Sequence, residues 1–302
     1  MPKGALRRAL LWYGTLLALL AAGGPVAATE GHQWQPFQWV RGSISGGPPE
    51  RLGMLLPVRV NGVACTVQLD TGANGDWTWK AGGTSADADA PRAHIELGPL
   101  RRAIPASAGN LAAIKGAHCG SDPIAIVGNA LFENGTLTLD LGRERYAYAP
   151  RALLAQSPAA QPLVYLRWAE GGGHVLVEAT PMSGGAGARG DYVMLDTGAS
   201  RFGVVVEGDD ALRALARNAA IAFDGPAAMR FPGPAGEPVV CAEAPAAVPL
   251  QVGGKTLQVT PGQCRGHIFK APVRMLGVLG MAPLGSRTIV LDYLSRRWTL
   301  SD

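Results

Sequence analysis

Beyond residue 28 the chain has no apolar run approaching the roughly 20 residues a bilayer-spanning helix needs, so no membrane span is expected there. It has no run of Lys or Arg, and with it goes the usual signal for nucleic acid or an anionic lipid surface. It has no C-x-x-C pair and no His at ligand spacing, which leaves a zinc site poorly supported against disulfides. The five histidines, His32, His94, His118, His174 and His267, show no nucleophile partner. Ser200 is not set in a Gly-x-Ser-x-Gly elbow, so nothing points to a Ser–His hydrolase. Asp87 and Asp89 read as a solvated loop sooner than as calcium ligands. No metal or cofactor is expected.

What is present begins with an export signature. Lys3, Arg7 and Arg8 precede an apolar stretch from Ala9 to Ala22, and Val26-Ala27-Ala28 supplies small residues for cleavage before Thr29. Residues 1–28 therefore read as a secretory signal peptide, with a retained anchor as the competing reading. The formal charge of +4 includes those three basic residues, so the mature chain carries only about +1. Cys65, Cys119, Cys241 and Cys264 make an even count, which in an exported protein implies two disulfides and a periplasmic or secreted location. The 41 Gly and 23 Pro, spread between short apolar runs, predict frequent turns and an all-β chain.

The pentapeptide Leu-Asp-Thr-Gly-Ala occurs twice, at Leu69–Ala73 and Leu195–Ala199, 126 residues apart. Each copy ends an apolar strand and lies within a repeated order of elements. In the first half, strands at 54–60 and 63–69 flank the hairpin dipeptide Asn61-Gly62. A hairpin over 94–104, an apolar strand ending at Gly128, a helical turn at 129–132 and a closing hairpin over 136–148 follow. In the second half, strands at 174–180 and 191–195 are joined by a Gly-rich loop from Ser183 to Gly190. A Gly-Gly hairpin over 248–259, an apolar strand ending at Gly280 and a closing pair at 288–292 and 297–300 complete it. A helix over 211–220, capped by Asp209 or Asp210, is inserted. The implied division is a leader at 29–50, a first lobe at 51–150, a linker at 151–162 and a second lobe at 163–302. The leader reads either as an added strand between the halves or as a mobile segment. Of the three cysteine pairings, Cys65–Cys119 and Cys241–Cys264 are favoured because each stays within one half.

On these residues the chain resembles the pepsin and retropepsin class of aspartic proteases, over roughly 52–148 and 164–300. Each half pairs an Asp-Thr-Gly signature with a later apolar-apolar-Gly strand, Ile126-Val127-Gly128 and Val278-Leu279-Gly280. The stretch Leu279–Leu284, with Ile289–Asp292 and Trp298–Leu300, is similar to bacterial retropepsin-like domains. Ala73 and Ala199 follow the retroviral pattern, whereas Trp77, seven residues after Asp70, matches a pepsin position. The resemblance implies a bilobal pepsin-like fold, two retropepsin-like closed barrel lobes with a few short helices, in a single chain that needs no dimer. No Tyr lies between Asp70 and Cys119, so the pepsin flap motif is missing and 80–92 is the flap by position.

The chemistry this implies is peptide-bond hydrolysis by a water held between Asp70 and Asp196. Two close carboxyls cannot both ionise, so the pair keeps one proton near neutrality. Thr71 and Thr197 are expected to lock the two turns together, and Gly72 and Gly198 to present backbone N–H to the carboxylates. Gly128 and Gly280 let the chain pass behind the loops, and Trp77 reads as cleft lining or core. Asp140 and Asp292, at matching places in the closing strands, read as turn-pairing residues. The expected partner is a polypeptide substrate, with no stable membrane association after signal cleavage. A catalytically silent peptide binder or inhibitor on the same fold is the alternative.

Overall fold

The computed structural model describes residues 33–43, 47–81, 90–114, 119–169, 171–182, 191–206, 208–216, 221–225, 228–232, 238–265 and 271–302. The signal segment, Ser183–Gly190, most of the flap segment, His32, His118, His267, Asp87 and Asp89 lie outside the described residues. The fold is all-β and bilobal, built from three sheets. No described helix is long and apolar enough to cross a membrane.

The first lobe is a seven-stranded sheet. Its spine is the hairpin Glu50–Val60 and Val63–Leu69, turned by Asn61 and Gly62 at φ 50° and 81°. Alternation decides which face is buried: Leu56, Val58 and Val60 on one strand and Cys65, Val67 and Leu69 on the other point inward. The strand Ala125–Val127 runs parallel to Val63–Leu69, pairing Leu69 with Val127, and Trp77–Trp79 pairs antiparallel on its other side.

The second lobe, a ten-stranded sheet, repeats this arrangement. Tyr192–Leu195 runs parallel to Met275–Leu279, with Leu195 opposite Leu279, and Val204–Val206 closes antiparallel to it. The inserted helix spans Gly208–Ala216, beginning three residues before the expected start. Beyond the expected elements the chain forms the strands Val164–Arg167, Val204–Val206, Met229–Pro232, Pro238–Glu243 and Pro261–Arg265 and the short helix Ala108–Ala113. The disulfides are Cys65–Cys119 and Cys241–Cys264, with Cα separations of 5.0 and 4.0 Å, each within one half.

A six-stranded sheet joins the lobes. The closing strands Thr136–Asp140 and Thr288–Asp292 pair antiparallel, with Thr136 opposite Asp292, Thr138 opposite Val290 and Asp140 opposite Thr288. That register is reciprocal, so an approximate two-fold axis passes between Thr138 and Val290. Outside them lie Arg145–Ala149 and Arg297–Ser301. The edges are Gln35–Pro36 and Gln161–Pro162, a repeated Gln-Pro dipeptide whose proline suits an edge strand. The leader therefore does add a strand at the interface between halves, and Gln38–Gly42 adds a second, paired with Glu50–Val60.

Asp140 and Asp292 hold equivalent turns in this sheet. Asp140 accepts from Arg143 N at 3.0 Å, and Asp292 from Ser295 N at 3.0 Å. The second oxygen of Asp292 also accepts from Leu154 N at 2.7 Å and Leu153 N at 2.8 Å, tying the linker down. Burial alone would raise the Asp292 pKa, but the amides of Leu154, Ser295 and Leu153 outweigh it and hold the carboxyl below its usual range. This stabilisation is present above the unfolded carboxyl pKa of about 3.9 and is lost as pH falls through the folded value. Asp292→Ala leaves three amides without their acceptor, at about 1 kcal/mol each. A loss of about 3 kcal/mol is expected in denaturant unfolding at pH 7, shrinking only in strong acid.

Candidate active site

Asp70 and Asp196 leave their strands at the same point in each lobe. The Asp70 amide donates to Val127 O at 2.9 Å and the Asp196 amide to Leu279 O at 3.0 Å. The strand carrying each glycine thereby sets the depth of each aspartate. Behind them, a Cβ on Gly128 would meet the Ala73 and Gly75 carbonyls, and one on Gly280 would meet those of Ala199 and Phe202. Both positions require glycine for close backbone approach.

The two loops are bound to each other by a reciprocal set of four hydrogen bonds. Thr71 N donates to Thr197 Oγ1 and Thr197 N to Thr71 Oγ1, each at 3.0 Å. Thr71 Oγ1 donates to Leu195 O at 2.8 Å, and Thr197 Oγ1 to Leu69 O at 3.0 Å. Both threonines are 1% exposed, so solvent does not compete for these bonds.

The lock brings the carboxylates together. The Asp70 carboxylate bears directly on Asp196. A Cβ on Gly72 would lie 2.6 Å from Asp196 Oδ2, and one on Gly198 2.6 Å from Asp70 Oδ1, so each glycine makes room for the opposite carboxylate. Gly72 N donates to Asp70 Oδ1 at 2.9 Å; Gly198 N and Ala199 N donate to Asp196 Oδ1 at 2.7 and 3.1 Å. The Asp196 pKa is raised, first by burial, then by the neighbouring Asp70 carboxylate; the Ala199 and Gly198 amides only partly oppose this. The pair titrates as a unit and holds a proton beyond the usual carboxylate range.

Other anticipated residues fall in supporting positions. Trp77 is 5% exposed and packs edge-to-face on Trp79, with ring centroids 5.2 Å apart, so it belongs to the core behind the first loop. Ser200 is buried and donates to Thr197 O.

Several contributors were not singled out from the sequence. Asn129, fully buried after Gly128, donates through Nδ2 to Thr71 O at 2.6 Å and Gly173 O at 3.1 Å, and accepts from Tyr293 Oη at 2.8 Å. The available signal was a polar residue following an apolar-apolar-Gly strand where the second half has Met281. His174 reaches the Gly72 carbonyl at 2.8 Å. Arg201, 12% exposed at its side chain, pairs with Glu50 at 2.9 Å and Glu243 at 3.1 Å.

The raised Asp196 pKa fixes a sign. Between the unfolded value near 3.9 and the folded value, the native state binds more protons than the unfolded chain, so this contribution is full in acid and lost as pH rises. Asp196→Asn removes that loss. Its melting temperature is expected to exceed the wild type's by several degrees at pH 8, with the gap closing towards pH 4 in paired thermal scans.

No protein-family model matches this chain, and no curated protein matches it.

Proposed function

We propose that the protein is an aspartic endopeptidase, hydrolysing peptide bonds with a water activated by the Asp70–Asp196 pair. The observation that carries this reading is the pair of carboxyls, one from each half of the chain, each lying against the opposite loop's glycine and held there by the Thr71–Thr197 lock. A monoprotonated pair has both functions the reaction needs. The ionised carboxyl takes a proton from water as it attacks the carbonyl carbon, and the protonated one donates to the carbonyl oxygen. The resulting gem-diol collapses with transfer of a proton to the leaving amine, with no covalent enzyme intermediate. Because the two protons titrate as a pair, neither role is assigned to one residue. The substrate is an extended polypeptide, the site is complete within one chain, and the disulfides suit an exported protein.

Mature protein incubated with an unfolded polypeptide is expected to cleave it in a pepstatin-sensitive manner. Asp70→Asn and Asp196→Asn should each lower kcat/KM by about 10³-fold or more. Absence of wild-type cleavage across pH 3–7 would instead favour a silent binder on the same fold. Ala73 and Ala199 place no hydroxyl beside the carboxylates, so the activity maximum is expected above pH 3. Ala73→Ser, which supplies one, should move it to lower pH.

A further inference from the structure

The two lobes match in backbone but not in what holds their aspartate loops. In the first half Met54 lies opposite Leu69, the residue before Asp70, so Gly53 stands one step beyond. In the second half Leu176 lies opposite Met194, which puts Val175 level with Leu195 and His174 one step beyond. His174 is therefore the counterpart of Gly53, which has no side chain, and among the described residues only the first loop receives an imidazole.

The surroundings of His174 fix its tautomer. The Trp168 indole nitrogen, which can only donate, lies 2.6 Å from His174 Nδ1, with the rings edge-to-face. Nδ1 must then carry the lone pair and Nε2 the proton, and Nε2 lies 2.8 Å from Gly72 O. The adjoining backbone grips the same loop: Gly173 N donates to Asn74 O at 3.1 Å, and Asn129 ties Gly173 O to Thr71 O. His174 is 8% exposed. Among the described residues, the charged group bearing on it is the Asp70 carboxylate, which favours the protonated ring; the nearby Arg167 and Glu133 pair with each other at 3.1 Å. Burial outweighs Asp70 and the Gly72 contact, and it lowers the His174 pKa.

We propose that His174 is a positioning residue: as the Nε2–H tautomer fixed by Trp168, it holds the Gly72 carbonyl and with it the Asp70 loop, and protonation on Nδ1 releases that hold. A proton on Nδ1 faces the indole N–H directly, so the Trp168 contact breaks and the ring loses its orientation. The clamp is complete above the ordinary histidine range near 6.5 and is lost as pH falls through the lower folded value. Its catalytic consequence rests on the aspartic endopeptidase reading; the clamp itself does not.

Two measurements keep these apart. Imidazole ¹⁵N NMR of the full mature protein at pH 7 is expected to find His174 neutral, with Nδ1 unprotonated and Nε2 protonated. A ring that is charged there, or that carries its proton on Nδ1, overturns the clamp whether or not the protein cleaves anything. In pH–rate profiles, His174→Gln keeps a donor for Gly72 O but does not titrate. It should retain most of the neutral-pH kcat while its acid limb moves to lower pH. Trp168→Phe removes the donor that opposes Nδ1 protonation, and its acid limb should move to higher pH. His174→Phe, with no donor, should lose about tenfold in kcat with KM little changed. An acid limb that is the same in wild type, His174→Gln and Trp168→Phe overturns the positioning role. Correct NMR tautomer without wild-type cleavage would leave the clamp standing and remove the endopeptidase reading.

Discussion

Four hydrogen bonds made by Thr71 and Thr197 decide how close two carboxylates from opposite halves of the sequence can come. Each threonine uses its amide and its hydroxyl, and each partner group lies on the other loop. The two bonds from hydroxyl to carbonyl end on Leu69 and Leu195, the residues just before the aspartates, so the lock acts on the strand ends themselves. Everything else serves that approach. The parallel strands at 125–127 and 275–279 set the aspartate amides in register. The glycines behind the loops allow the backbone to pass, and Gly72 and Gly198 leave space for the facing carboxylate. A buried polar lattice of this kind stabilises only when all of its members are satisfied, which makes the two turns hard to vary separately.

Much of this was legible in the chain because it rests on short-range rules. The repeated Leu-Asp-Thr-Gly-Ala, the Asn-Gly and Gly-Gly hairpins, and the apolar runs ending in Gly128 and Gly280 each announce their local geometry. Their equal order in both halves then places the aspartates together. The Gln-Pro dipeptides at 35 and 161, 126 residues apart like the aspartates, carried the same information about the edges of the joining sheet. The strands missed in the second lobe are of another kind. Val204–Val206 is three residues long, and Met229–Pro232, Pro238–Glu243 and Pro261–Arg265 contain proline, charge or glycine. Val204–Val206 and Pro261–Arg265 pair with strands far away in sequence, which periodicity within a short window does not see, and Met229–Pro232 and Pro238–Glu243 form a hairpin whose prolines mask its strand character.

The supporting side chains were illegible for a related reason. His174 opens an apolar strand, and in isolation a histidine there means little. Its role exists only because Gly72, 102 residues earlier, and Trp168 meet it in space. Asn129 likewise draws on Thr71 and Tyr293 at once. Such residues show no repeat, since their counterparts Gly53 and Met281 have no polar side chain, and an argument built on symmetry passes over them.

That loss of symmetry bears on how the pair works. Two copies of one chain would be obliged to hold both loops in the same way, whereas a single chain carrying both halves is free to hold them differently. Here Asn129, Tyr293 and His174 all converge on the first loop through uncharged contacts. The second loop is held just beyond its signature by charge, with Arg201 between Glu50 of the first lobe and Glu243 of the second. Buried neutral hydrogen bonds respond little to ionic strength, while ion pairs that reach solvent, as this one does at Glu50, are partly screened. Burial also raises the Glu243 pKa against the pull of Arg201, so the second anchor weakens in acid for a reason unconnected with His174. The two aspartates bear on each other across one site, but the supports behind them answer to different variables. A proton shared between Asp70 and Asp196 is therefore balanced between two unlike environments, and its distribution depends on anchors that titrate and screen separately.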